Sequence, residues 1–306
     1  MRQTLKTEGT IPMKKTITLS LIFTLAVSIL AGCTSENTSG TAAKFDSGKS
    51  IIVVSREDGS GTRGAFIELF GIEQKNADGT RKDLTTKEAI IARQTDVMMA
   101  NIAGDKYAIG YISLGSLNNT VKAIQIEGVT PSSENVKNGT YQIARPFNIA
   151  TKGEATGLAR DFIDFILSAD GQLVVAKNYI AVNEDVLAYT GNKPSGKIVV
   201  AGSSSVTPVM EKLKEAYLVV NPNAVIEIQQ SDSSAGMTGA VDGTCDIGMA
   251  SRELKSSELQ QLTSIQIALD GIAVIVNKEN PAENLTKEQI KAIFTDATRT
   301  WSVIAQ

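Results

Sequence analysis

The chain has 306 residues, enough for two domains of ordinary size or one large domain, and its 42% hydrophobic and 21% charged residues are typical of a folded globular protein. A formal net charge of −3 gives no support to a nucleic-acid partner, because phosphate backbones select a marked excess of Lys and Arg. Histidine is absent and the two cysteines are Cys33 and Cys245, so histidine-based catalysis, a disulfide framework and a thiolate metal site are not expected.

The first element in chain order is a secretory signal over residues 1–33. Two lysines precede an apolar run at 17–30, which is too short to span a bilayer because a transmembrane helix needs roughly 20 apolar residues. The run ends in Leu-Ala-Gly-Cys, which resembles the bacterial lipobox. This resemblance implies that Cys33 is lipidated and becomes the first mature residue, and that Met13 is the natural start. An ordinary signal peptide followed by an incidental cysteine is the alternative.

Residues 34–47 are rich in Ser, Thr, Gly and Asn and have almost no large apolar side chains. Such a segment cannot bury enough surface to offset its ordering entropy. We therefore predict a flexible tether that holds a folded body, starting near residue 48, away from the membrane.

From residue 50 onward, short β-rich runs alternate with helical patterns, which predicts an α/β fold with mostly parallel sheets. The predicted strands lie at 51–54, 108–112, 197–201, 225–229 and within 265–276. The predicted helices lie at 64–70, 87–99, 155–168, 208–220 and 287–294. A connecting turn is predicted at 192–196, where Asn, Pro and Gly occur together.

Three segments share one design, with small residues and hydroxyls placed directly before a helix. They are SREDGSGTRG at 55–64, GSSSVTP at 202–208 and SDSSAG at 231–236. A helix start presents unpaired N–H donors and the positive end of the helix dipole, so each segment is a potential anion site. Any one of them alone is better explained by helix capping. The three together, with Arg56 available for a bidentate contact, favour binding of an oxyanion.

Five motifs resemble the phosphate-binding proteins of bacterial ABC importers: SREDGSGTRGAF at 55–66, GSSSVTPVMEKLKEAY at 202–217, SSAG at 233–236, DIGMASREL at 246–254 and LDGIAVIVNKENPAENLTKEQIKAIFT at 269–295. The resemblance implies a type II periplasmic-binding-protein-like fold, in which two α/β lobes hold the anion in the cleft between them. It implies no catalytic residue, no metal and no cofactor. The implied partners are inorganic phosphate and the permease subunits of an ABC importer with their ATPase. The implied location is the extracytoplasmic face of the cell membrane, through the lipid anchor.

The resemblance also assigns site residues to this chain. The implied ligand-binding residues are Arg56, Ser60, Gly61, Thr62, Ser203, Ser204, Ser205, Ser233 and Ser234. Asp58, by orienting Arg56, and Ser251 are implied to support them. Many family members carry an Asp after the strand that ends in DIG, where it accepts the proton of hydrogen phosphate. Residues 247–252 have no carboxylate at that place, so selectivity for phosphate over sulfate is less firmly implied than anion binding.

The order of the motifs differs from that of the family, in which the GSSSVTP-like block opens the mature chain. The resemblance therefore implies a circular permutation, with one lobe at 146–268 and the other at 48–145 plus 269–306. An artefact of gene fusion is the alternative. The permutation predicts that Ile51–Val54 lies beside the chain end after Trp301 and that the site segments converge on one cleft.

Other functions are weaker on chemical grounds. Gly-Lys-Ser at 48–50 imitates the end of a P-loop, but it precedes a strand instead of following one. A phosphatase would need metals or an activated nucleophile, and no base is evident beside Ser60. Cys245 is predicted to be a buried structural residue and not a reactive thiol. A lipid-anchored sensor, or a binder of another tetrahedral oxyanion, stays open.

Overall fold

The computed structural model describes residues 44–76, 81–182 and 186–302. The predicted signal sequence with Cys33 and residues 34–43 of the predicted tether lie outside the described residues. Within the described part, no helix is long and apolar enough to cross a membrane.

Strands and helices alternate along the described chain. The strands are β1 Ile52–Arg56, β2 Glu73–Lys75, β3 Arg81–Asp83, β4 Ile90–Ala92, β5 Ala108–Ser113, β6 Lys122–Ala123, β7 Gln125–Ile126, β8 Ala144–Thr151, β9 Ile180–Ala181, β10 Gly196–Ser203, β11 Ala224–Ser231, β12 Ile247–Ala250, β13 Thr263–Val276 and β14 Asn284–Leu285. The helices are α1 Gly61–Leu69, α2 Thr95–Gly104, α3 Ser133–Lys137, α4 Gly157–Leu167, α5 Ala169–Val175, α6 Thr207–Val220, α7 Ser233–Asp242, α8 Ser256–Leu259 and α9 Lys287–Phe294.

The main sheet has the strand order β11-β10-β12-β8-β13-β5-β1-β4. Its two ends are parallel, since β10 pairs with β11 and β12, and β1 pairs with β4 and β5. Its centre is antiparallel, because β8 pairs with β12 and β13, and β13 pairs with β5. The α/β prediction is confirmed, and the expectation of mostly parallel strands holds for the ends of the sheet and not for its centre.

The long strand β13 connects two hydrophobic cores. Its residues up to Gly271 pair with β8, and its residues from Ile272 onward pair with β5. Core 1 is built from buried side chains within 147–268, such as Phe162 and Leu213, whereas core 2 draws on 53–143 and 272–301. The described residues from Lys44 onward nevertheless form one compact unit. The division into lobes at 145/146 and 268/269 therefore stays a prediction.

A buried ion pair lies on the two central strands that join these cores. Arg145 on β8 is the register partner of Asp270 on β13, and the two residues are 3% and 1% exposed. Arg145 Nη2 donates to Asp270 Oδ2 over 3.1 Å, while Arg145 Nε and Nη1 have no partner among the described residues. Burial raises the pKa of Asp270 to about 6, against the attraction of Arg145, and burial lowers the pKa of Arg145 to about 10.

The two ends of the described chain meet beside core 2. Ile51 N donates to Arg299 O over 2.8 Å, and Trp301 N donates to Lys49 O over 3.2 Å. The fully buried Trp301 also contacts the ring of Phe45 at a centroid distance of 6.0 Å. The prediction that Ile51–Val54 lies beside the segment at Trp301 is confirmed at Ile51, and residues 303–306 lie outside the described residues. Because Phe45 packs here, the ordered body includes the last four residues of the predicted tether.

The segment between β9 and β10 is fastened to core 1 by the buried carboxylate of Asp161. Asp161 accepts hydrogen bonds from Asn192 N at 2.9 Å, from Tyr217 Oη at 2.6 Å and from Tyr189 Oη. The predicted turn at 192–196 therefore lies against core 1, directly before β10.

One predicted helix is wrong. Residues 87–99 were expected to be helical, but 90–92 form β4, and α2 begins only at Thr95. The β-branched Ile90 and Ile91 pair with β1, and this tertiary pairing outweighs the local helical spacing. The other predicted elements are confirmed to within a few residues, and α9 coincides with its prediction.

Candidate functional site

The site is built around Arg56, the last residue of β1, which is 1% exposed. Glu57 accepts from the guanidinium twice at 2.8 Å, through Nε and through Nη2. Nε also donates to Ala92 O over 3.1 Å, and Nη2 donates to Ser204 Oγ over 2.9 Å. A guanidinium held on both edges in this way has a fixed direction.

Hydroxyl groups from distant parts of the chain meet beside this guanidinium. We call them the hydroxyl cluster, and each residue in it is at most 4% exposed: Thr62, Thr95, Ser203, Ser204, Ser205, Ser233 and Ser251. Thr62 Oγ1 lies 2.8 Å from Ser205 Oγ, and Ser203 Oγ donates to Ser251 Oγ over 2.9 Å. The last residue of β10, the residue after β12 and residues near the starts of four helices thus share one buried polar centre.

Four helices begin at the hydroxyl cluster. They are α1 at Gly61, α2 at Thr95, α6 at Thr207 and α7 at Ser233. Helix starts carry partial positive charge and unpaired N–H groups, so four of them directed at one point create an environment suited to an anion. The small polar residues that precede helices in the sequence therefore lie together in the structure.

Two glycines allow the segments to approach each other closely. A Cβ atom on Gly61 would lie 2.5 Å from Ser233 Oγ and 2.8 Å from Ser251 Oγ. A Cβ atom on Gly59 would collide with the carboxylate of Asp232. These glycines let the turn after β1 pack directly on the start of α7.

A cleft of about 620 Å³ opens next to the hydroxyl cluster. Its lining includes Glu57, Gly59 and Arg63, further residues between 85 and 94, and Ser231 and Asp232. Two of the predicted site segments, 55–64 and 231–236, therefore reach this cleft, whereas the residues of the hydroxyl cluster do not line it.

Four predicted site residues, Asp58, Ser60, Ser234 and Ser251, take positions that differ from the expectation. Asp58 was expected to orient Arg56, but its carboxylate accepts from Arg63 Nη1 at 2.7 Å, and Glu57 holds Arg56 instead. Glu57 takes this place because it follows Arg56 directly and its carboxylate spans the Nε–Nη2 edge of the guanidinium. Ser60 caps α1 and accepts from Arg63 N at 3.3 Å.

Ser234 lies outside the hydroxyl cluster, whereas Ser251 lies at its centre. Ser234 Oγ is 3.4 Å from Gly59 O and accepts from Arg252 Nη2 at 3.3 Å, so it connects the turn after β1 with the segment after β12. Ser251, expected only to support the site, contacts the hydroxyls of Ser203 and Ser233 and donates its backbone N–H to Ser233 Oγ over 3.1 Å.

Sequence reasoning missed Thr95 and Glu57. Thr95 is a hydroxyl residue at the start of a helix, which is the pattern that identified the other segments. It was hidden because 87–99 was interpreted as one continuous helix, which placed Thr95 in its interior. Glu57 gave no signal apart from its position next to Arg56.

The described residues contain no group of three or more side chains that could hold a metal ion. Cys245 is buried, and burial, with a contribution from Asp246, raises the pKa of its thiol. The prediction that Cys245 is a structural residue is confirmed in this respect, because a raised pKa disfavours the reactive thiolate.

Comparison with known proteins defines the class first. The model of the PBP superfamily domain matches residues 31–170 and 187–303, so the chain belongs to this superfamily of binding proteins. Within it, the chain is 50% identical over 299 residues to the phosphate-binding protein PstS 2 of Streptococcus agalactiae, which covers 96% of this chain and 100% of that protein. The chain is accordingly a member of the PstS family of phosphate-binding proteins.

Two further comparisons bear on fold and segment order. The crystal structure of a phosphate-binding protein of a phosphate ABC transporter from Streptococcus pneumoniae is 45% identical, with a TM-score of 0.66 over 83% of this chain and 99% of that one. PstS of Bacillus subtilis is 35% identical over 137 residues, only 44% of this chain and 42% of that protein. The expectations of a periplasmic-binding-protein-like fold and of a binding protein without enzymatic activity are confirmed by these relatives.

Proposed function

We propose that this protein binds inorganic phosphate outside the cytoplasm and delivers it to the permease and ATPase of an ABC importer. The observation that supports this most strongly is the meeting of Arg56 with seven buried hydroxyl residues from distant parts of the chain. The relatives named above are phosphate-binding proteins, and one belongs to a phosphate ABC transporter.

The geometry suits an oxyanion because it supplies donors without surplus charge. Glu57 already neutralises Arg56, so most of the stabilisation of a bound anion comes from hydroxyls and helix starts that replace its hydration. Arg56 Nη1 makes one long contact, 3.4 Å to Thr95 Oγ1, and retains donor capacity for an anion oxygen. Ser204 accepts from Arg56, which leaves its own hydroxyl proton to donate.

Calorimetry tests this proposal on a chain that starts after Cys33, with phosphate, sulfate, arsenate and molybdate as ligands. We expect one phosphate to bind per chain and arsenate to compete for the same site, since the two anions share shape and protonation. Serine and threonine hydroxyls can accept a hydrogen bond as well as donate one, so they can receive the proton of hydrogen phosphate. Tighter binding of sulfate or molybdate would identify a different oxyanion binder, and no heat with any anion would refute the proposal.

We further propose that the protein is held at the membrane by a lipid on Cys33. The short apolar run and the Leu-Ala-Gly-Cys ending support this. The Cys33→Ser variant is expected to move from the membrane fraction to the soluble fraction, because residues 34–43 offer no large apolar side chain to replace the lipid. Fractionation followed by immunodetection measures this. Membrane association equal to that of the wild type would rule out lipidation as the anchor.

We also propose that the chain is a circular permutation of the usual family order, with lobes at 146–268 and at 48–145 plus 269–306. The contact between residues 49–51 and 299–301 supports it, because those segments could be joined directly. The match to the B. subtilis protein, limited to less than half of each chain, is what a reordered sequence would give. The match along the whole S. agalactiae relative argues against a fusion artefact.

A further inference from the structure

Thr95 occupies a position at the site that the sequence motifs do not mark. It is the first residue of α2 and is 4% exposed. Strand β4, which leads into α2, pairs with β1 so that Ala92 lies opposite Arg56 and accepts from its Nε. This register fixes the start of α2 relative to the guanidinium.

The hydroxyl of Thr95 is close to three site groups and strongly bound to none. Thr95 Oγ1 lies 3.4 Å from Arg56 Nη1, 3.4 Å from Ser204 Oγ and 3.4 Å from Ser205 Oγ. Strong hydrogen bonds between such groups are about 2.7–3.0 Å long. The hydroxyl is therefore available to exchange weak contacts for a short one.

The start of α2 supplies further hydrogen-bond donors beside the Thr95 hydroxyl. Its N-cap residue, Gln94, makes no side-chain capping bond, in contrast to Ser60 on α1 and Asp232 on α7. The first turn of this 10-residue helix thus keeps backbone donors and partial positive charge next to Thr95.

We infer that Thr95 is a direct ligand of the bound oxyanion and that α2 contributes to the site together with α1, α6 and α7. Arg56 Nη1 donates to Thr95 Oγ1, so the proton of Thr95 is directed away from the guanidinium and toward the anion. A hydroxyl polarised by a cation is a stronger donor than an isolated one. This inference rests on the proposed function, since it places another contact on the same anion.

Calorimetry with phosphate on Thr95→Val and Thr95→Ser tests it. Valine has nearly the same shape as threonine but no hydroxyl, and serine keeps the hydroxyl. We expect Thr95→Val to weaken phosphate binding by about 10-fold or more and Thr95→Ser by no more than about 3-fold, because a hydrogen bond to a charged ligand is lost only in the first.

Thr207→Val is the matched control. Thr207 is also the first residue of a helix at the site, but its hydroxyl donates to the backbone carbonyl of Ser203 over 3.1 Å and not to a side-chain hydroxyl of the cluster. We expect it to bind phosphate within about 3-fold of the wild type. Equal losses in Thr95→Val and Thr207→Val would overturn the inference, because the cause would then be altered helix starts.

The Arg56→Ala variant separates this inference from the proposed function. If Arg56→Ala weakens phosphate binding while Thr95→Val does not, Thr95 is no ligand and the proposed function stands. If neither Arg56→Ala nor Thr62→Val changes phosphate binding, the proposed function fails as well. Thermal unfolding of each variant without phosphate checks that all of them are folded.

Discussion

Replacing Asp270 with alanine is expected to lower the free energy of unfolding by about 3–5 kcal/mol, because Arg145 would then keep its charge in the interior without a partner. The pair is almost fully buried, and the single contact from Nη2 to Oδ2 at 3.1 Å compensates the guanidinium. Arg145 Nε and Nη1 have no other partner in the described part of the chain that could take over. Urea unfolding monitored by circular dichroism measures the loss.

A double variant shows whether the charge or the shape matters. Arg145→Met combined with Asp270→Leu removes both charges and keeps apolar volume. It should unfold within about 1 kcal/mol of the wild type or be more stable, since removing a buried pair as a unit leaves no uncompensated charge. A double variant as unstable as Asp270→Ala would contradict this explanation and indicate that the ion pair itself stabilises the fold.

The same pair predicts a pH dependence of stability. Burial raises the pKa of Asp270 to about 6 from an ordinary 3.8, so the folded protein holds this proton more tightly than the unfolded chain. The stabilisation from protonation is fully present below the unfolded pKa and is lost as the pH rises through the folded pKa. As the pH rises from about 4 to about 6, the free energy of unfolding of the wild type should therefore fall relative to that of the double variant.

Replacing Arg56 with alanine is expected to weaken phosphate binding by about 10- to 100-fold, equivalent to roughly 1.5–3 kcal/mol for a charged hydrogen-bonding partner. Its guanidinium is the cation that contacts the hydroxyl cluster directly, through Ser204 at 2.9 Å. Calorimetry at constant pH and salt measures the change. Arg56→Lys should recover only part of the affinity, because an ammonium cannot reproduce the planar fork.

Arg252→Ala is a closely matched control for Arg56→Ala. Arg252 also pairs with a glutamate through two contacts of 2.8 Å, to Glu258, and each alanine variant leaves one partly exposed carboxylate without its partner. Arg252 contacts Ser234, which lies outside the hydroxyl cluster. We expect Arg252→Ala to bind phosphate nearly as the wild type does. Small and equal losses in both variants would show that the anion binds elsewhere.

Local sequence signals predicted most elements of the fold and most residues of the site. The helix at 287–294 could be recognised because Thr286 and Gln289 form a capping box and the apolar spacing is regular. The segments around Ser60, Ser204 and Ser233 could be recognised because each combines small polar residues with a helix start. These signals lie within a few residues of the features that they predict.

The errors arose where a distant strand decides the structure. Residues 90–92 are a strand because β1 pairs with them, and no local pattern contains that partner. The position of Thr95 near Arg56 could not be predicted for the same reason, because the start of α2 depends on the pairing of β4 with β1. The ion pair of Arg145 and Asp270 likewise depends on the register of β8 and β13, which are separated by more than a hundred residues of sequence.

The contact between residues 49–51 and residues 299–301 has a consequence for the order of folding. Core 1 is contiguous within 147–268, so its side chains are all available once that stretch has been synthesised. Core 2 needs β1 near the start of the body and Trp301 near its end, and such contacts of high sequence separation carry a large cost of loop closure. During synthesis, β1 emerges first but cannot complete core 2 until the segment around Trp301 has been made. Its apolar strand is therefore exposed for longest, and in that interval the protein is most vulnerable to aggregation and proteolysis.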